Sequence, residues 1–176
     1  KDKISDKLVN AFLKNKIISP IPKKFTKKLS EAVNFRKLCE SKIKEPVIGY
    51  KAGGTVIPLM KKLKEKEPFY ASVYKRNFLQ SGQKVKINKY SVGIEVEVCY
   101  LIKKTFFLSK GPIIKNNVTK FISHMAPCIE VVGYRQKKIG VTSFGDLCSD
   151  FGGNIKFFIG KKIKFKKINI GNLKTN

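Results

Sequence analysis

The feature that most constrains this fold is a change of hydrophobic period near Phe69. Before it, apolar residues recur every three to four positions. Ile4, Leu8 and Phe12 line one face of a helix over residues 4–16. "SPIP" at 19–22 reads as its stop, since proline removes a backbone donor and restricts the residue before it. Leu29, Ala32 and Val33 predict a second helix from about Phe25 to Cys39, and Leu59, Met60 and Leu63 a short third. Between them, "EPVIGYKAGGT" at 45–55 reads as a strand entering a glycine-containing loop. After Phe69 the period becomes two. "KVKI" at 84–87, "VGIEVEVCYLI" at 92–102, "PCIEVVGY" at 127–134 and "FFIGKKIKFKKINI" at 157–170 read as strands. Turn signals at Ser81-Gly82, Gly111-Pro112 and Gly152-Gly153 separate them. With no internal repeat or long linker, the pattern predicts one α+β domain over 1–176. Its helical N-terminal segment spans 1–44 and its β-rich body 45–176.

Composition narrows the function classes. A hydrophobic fraction of 42%, with 13 Phe and 6 Tyr, supports a packed core despite a net charge of +26. The basic residues are mostly lysines in scattered pairs such as Lys23-Lys24, Lys61-Lys62 and Lys137-Lys138, with arginine only at 36, 76 and 135. There is no zinc-finger spacing and no glycine-aromatic RNA-binding signature, so no specific nucleic-acid partner is expected. The charge leaves open a catalytically degenerate protein that contacts a polyanion or an acidic membrane surface. No apolar run approaches the ~18 residues of a membrane span, and no signal peptide is visible ahead of Lys1. Cys39, Cys99, Cys128 and Cys148 form no CxxC pair and read as reduced thiols of a cytoplasmic protein.

The acids are few, 12 against 38 Lys and Arg, and their placement is informative. In residues 92–102 the pleat sorts Val92, Ile94, Val96, Val98 and Tyr100 to one face. Gly93, Glu95, Glu97 and Cys99 fall on the other. Two carboxylates ~7 Å apart along a strand can converge on one cation. The same alternation also describes a sheet with one wet face, its glutamates pairing with lysines across strands. Glu130 adds a third acid, alone within the hydrophobic "APCIEVVGYR". Three strand-borne carboxylates make a hard-oxygen set suited to Mg²⁺ or Mn²⁺. The sole histidine, His124, is placed in a loop and outside any acid-base constellation.

"VIGYKAGGT", "GIEVEVCYLI", "APCIEVVGYR" and "DLCSDFGGNIKFFIG" occur in an order that resembles the fumarylacetoacetate hydrolase superfamily. The resemblance is strongest to its 2-keto-4-pentenoate hydratase and 4-oxalocrotonate decarboxylase branch, and it runs through nearly the whole chain. It implies a mixed β-sandwich or roll, shortened at the C-terminus, whose bare sheet edges a homo-oligomer would cover. By resemblance Glu95, Glu97 and Glu130 are the metal ligands. Lys51 stands beside the substrate carboxylate or enolate, and Thr55 lies in the same loop. The implied activity is a divalent-metal-dependent hydratase adding water to short 2-hydroxydienoic (2-oxo-4-enoic) acids, giving 4-hydroxy-2-oxo acids. Decarboxylation and C–C hydrolysis of a small 2-oxo acid are its near neighbours. The chain departs from the family pattern at Ala71, at Val56 after Thr55, at Gly133-Tyr134 before Arg135, and at Asp150-Phe151.

Overall fold

The computed structural model describes residues 1–80, 82–108 and 111–167. Helix α1 (Asp2–Lys14) buries Leu8 and Phe12 as their spacing predicts. It stops at Asn15, not at the prolines. Asn15 adopts a left-handed φ of 49° and returns its N–H to the carbonyl of Ala11, closing the last turn. Lys23–Phe25 form a separate 3-10 turn. Helix α2 (Leu29–Glu40) therefore begins later than expected. Its deepest face is Ala32, Phe35, Arg36 and Cys39, with Leu29 and Val33 only partly covered.

Strand β1 (Val47–Gly53) leads through α3 (Ile57–Lys62) into β2 (Phe69–Tyr74), and the two strands pair antiparallel. A larger sheet follows, built from β3 (Phe78–Leu79), β4 (Ser91–Ile102) and β5 (Ile122–Gly133). After α4 (Phe144–Ser149), strands β6 (Asn154–Ile159) and β7 (Ile163–Lys164) complete it. The order is β3-β6-β5-β4, with β7 beside the first part of β5 and β6 beside the last. The architecture is α+β with mixed sheets, as the change of period predicts. "KVKI" is an exception, because residues 84–87 pair with no strand among the described residues and mostly face solvent. Alternation supplies a strand-like pattern, but a strand needs a partner's hydrogen bonds. The run 157–170 also divides, with Gly160-Lys161-Lys162 separating β6 from β7. Its last residues, from 168, lie outside the described residues.

Three apolar clusters hold these elements together. α1 and α2 pack Leu8, Phe12, Phe35 and Cys39 against Tyr74 and Phe151. α2 also meets α4 and β2 through Ala32, Phe144, Cys148 and Phe69. Val73 of β2 packs on Cys128, Phe157, Cys99 and Ile159 of the larger sheet. This last contact lays the β1–β2 ribbon over the face of β4 and β5 that carries the glutamates. A buried polar knot fixes the far end of β5. Arg135 is 3.2 Å from Asp150, whose other oxygen accepts from the Arg135 N–H at 2.8 Å and from Gln136 at 3.0 Å. The Arg135 guanidinium also lies over the rings of Phe12 and Phe151, so α1, β5 and the turn after α4 converge on it.

Candidate metal centre

Glu95 on β4 and Glu130 on β5 are direct cross-strand partners, and Glu97 stands opposite Cys128. Paired residues share a face, so the register carries all three carboxylates to one side of the sheet. One oxygen from each lies within 4.8 Å of the others. Burial deepens from β4 towards β5. Glu95 is largely exposed, Glu97 is half-buried, and Glu130 is 0% exposed.

Lys51 enters this cluster from the overlying ribbon. In β1 it is paired with Ala71 and points inward, while its neighbours Tyr50 and Ala52 face solvent. Its Nζ donates to Glu130 Oε1 at 2.8 Å and stands 3.8 Å from Glu95 Oε2. Room for its stem comes from Gly152, which holds a left-handed φ of 74°. A Cβ there would lie 3.3 Å from Lys51 Cδ and 2.9 Å from Ala71 Cβ. The departure at Asp150-Phe151 is thus part of a turn that closes under the lysine and anchors Arg135.

Electrostatics make the cluster incomplete. Burial pushes the Glu130 carboxyl up to about 8, and Lys51 offsets only part of that rise. Glu97 is also raised, first by burial and then by Glu95, with Lys51 acting the other way. Glu130 Oε2 is buried without a hydrogen-bond donor among the described residues. A buried acceptor left unpaired is costly, and a shared cation would satisfy it. The donor set is all hard oxygen, and it fits a divalent ion of the Mg²⁺, Mn²⁺ or Ca²⁺ kind.

Lys51, Glu95, Glu97 and Glu130 are brought together. Thr55 is not: it follows β1 as an exposed residue, with no polar contact to the cluster among the described residues. His124 lies within β5, not in a loop, opposite Leu101 and Lys164. The two glutamates differ in burial: Glu97 is half-buried, while Glu95 stays largely exposed, as on a wet sheet face. Their face turns towards the β1–β2 ribbon, while Ile94 and Val96 expose 68% and 65% of their surface. The four cysteines are free thiols; Cys39, Cys128 and Cys148 are buried, and Cys99 is only partly covered. Sequence reasoning missed the Arg135–Asp150–Gln136 knot and the role of Gly152. The scarcity of arginine in a lysine-rich chain was the available signal. Arg36 and Arg135 are both buried, where a planar guanidinium outperforms lysine.

An α+β fold presenting a hard-oxygen carboxylate cluster beside a buried lysine is an arrangement that could hold a metal ion. Among solved structures, that fold is shared with 4-oxalocrotonate decarboxylase from Pseudomonas putida G7. Its complex with calcium and acetate matches at a TM-score of 0.72 and 19% identity, covering 92% of this chain and 62% of that one. Its complex with magnesium and adipate matches at 0.67 and 16% identity, with 92% and 63% covered. This chain therefore spans less than two thirds of the length of those neighbours. No protein-family model matches the sequence, and no curated protein resembles it significantly. No helix among the described residues is long and apolar enough to cross a membrane.

Proposed function

We propose that the protein is a divalent-metal-dependent lyase of short 2-oxo acids, working as a hydratase on 2-hydroxydienoic (2-oxo-4-enoic) acids. The observation that carries this reading is the fully buried Glu130, its Oε2 unpaired, clustered with Glu95 and Glu97 beside Lys51. Those three glutamates would hold Mg²⁺ or Mn²⁺. When bound, the ion supplies Lewis acidity at substrate oxygens. Lys51 places a positive charge where a substrate carboxylate or enolate would develop its negative one. The β1–β2 ribbon covers the Glu130 side of the cluster and limits water there, while the exposed Glu95 side leaves an approach for substrate. Hydration would give a 4-hydroxy-2-oxo acid.

A second reading, decarboxylation of an oxalocrotonate-like diacid, is favoured by the activity of the two solved neighbours. Both readings use the same metal and lysine and differ in the bond that breaks. Titration calorimetry with Mn²⁺ tests the shared part, and Glu97→Gln should abolish binding together with turnover. Metal bound equally well by that variant would refute the ligand assignment. Ultraviolet absorbance on 2-hydroxypenta-2,4-dienoate and on 4-oxalocrotonate then separates the activities. Loss of the diene without release of CO₂ identifies hydration, and CO₂ release identifies decarboxylation. Metal binding with neither reaction would sink the enzyme reading.

A further inference from the structure

We propose that Lys51 is the resident counter-cation of the carboxylate triad, and that a divalent ion is admitted only by displacing its ammonium from Glu130. The inference rests on the metal reading above and adds a competition built into the chain. Glu130 sits in the middle of β5 with β4 on one side and β6 on the other, and it is fully buried. A carboxylate there needs a positive partner. Among the described residues, Lys51 is the cation paired with it.

That pairing is incomplete on both sides. An ammonium has three donors, yet Lys51 makes one short contact, to Glu130 Oε1 at 2.8 Å. Glu95 Oε2, at 3.8 Å, lies beyond hydrogen-bond reach. Glu130 Oε2 accepts no hydrogen bond among the described residues. The pair is close enough to offset the charge of Glu130 and loose enough to exchange.

Lysine suits such an exchange, since it carries a compact charge on a flexible stem. The stem is confined by Ala71 and Gly152, which keeps the ammonium beside the triad when it leaves Glu130. Charge balance favours that outcome. Once a divalent ion holds all three groups as carboxylates, they and one ammonium leave two negative charges, which that ion balances. Loading the ion and freeing Lys51 for a substrate's negative charge are then a single event.

The test is Mn²⁺ binding by calorimetry in the full chain, with Lys51→Met and Lys51→Arg beside the wild type. Removing the competing charge should tighten binding by about tenfold or more. Lys51→Arg keeps a cation on Glu130 and should bind no tighter than wild type. In EDTA, Lys51→Met should melt below wild type, and Mn²⁺ should raise its midpoint by the larger increment. Equal or weaker binding by Lys51→Met, with wild type binding normally, overturns the competition and leaves the metal reading standing. If neither wild type nor Lys51→Met binds Mn²⁺, both fall. If Lys51→Met does not fold even with Mn²⁺, Lys51→Arg decides. Tighter binding than wild type overturns the proposal, and binding equal to or weaker than wild type supports it.

Discussion

The two faces of β4 and β5 share one backbone and one register, yet they invert the usual link between polarity and burial. The outer face exposes Ile94, Val96 and, at 42%, Ile129. The inner face carries Glu95, Glu97 and Glu130, and the β1–β2 ribbon covers it at Glu130 while leaving Glu95 largely exposed. Apolar residues in water are ordinary and cost little. Carboxylates under a second layer are expensive, and a chain keeps them there where their charge has a task. The difference teaches that burial on these strands follows what packs on each face and not the polarity of the residues there.

The sharpest way to break that comparison is Glu130→Ala. It would strand the Lys51 ammonium without its partner and should cost about 3–5 kcal/mol by urea denaturation. Replacing both members, as Glu130→Leu with Lys51→Met, should recover most of that loss, since the desolvated charges then disappear together. A double variant as unstable as the single one would show that the pair holds the fold and not merely the site.

Gly152→Ala comes next. Its φ of 74° is strained for any side chain, and a Cβ would press on Ala71 and Lys51. A loss of roughly 1–3 kcal/mol is expected. Weakened or altered Mn²⁺ binding should accompany it, because the lysine stem is displaced.

Cys128 lies on the inner face, and burial pushes its thiol from an ordinary 9.0 up to about 12. The folded state therefore holds that proton more tightly than the unfolded chain does. Stability should fall as pH rises between about 9 and about 12, and native Cys128 should alkylate far more slowly at pH 9 than it does in urea. Labelling at equal rates in both states would mean that the ribbon does not cover this face in solution.

The smallest effect belongs to the outer face. Ile94→Thr should change stability by no more than ~0.5 kcal/mol. A cost of several times that would show Ile94 to be covered in solution and would end the contrast between the faces.

Much of this arrangement was legible from residue order. Ile4, Leu8 and Phe12 placed α1, and the shift to a period of two placed β4 and β5. The parity of 93–99 put Glu95 and Glu97 together, and a lone Glu130 in an apolar run marked the third carboxylate. Boundaries were harder to read. Asn15 ended α1 through a left-handed turn that asparagine permits but does not announce, and the later prolines drew attention away from it. "KVKI" carried strand alternation with no neighbour to pair with. Asp150 and Arg135, which stand beside the departures from the family pattern at Phe151 and Gly133-Tyr134, form an internal ion pair across sequence-distant elements.

By itself, the sequence determined the α+β class, the helical start, and the grouping of two glutamates on one side of one strand. These follow from backbone geometry, because 3.6 and 2.0 residues per repeat are properties of the chain alone. Only the tertiary structure decided which side faces inward. Parity sorts residues into two faces but assigns no sign to either. The sign comes from what packs on the sheet, here Val73 against Cys128 and Phe157. The same packing carries Lys51 to 2.8 Å from a glutamate 79 residues further along the chain. No local pattern encodes that meeting, because it depends on two sheets stacking after each has formed.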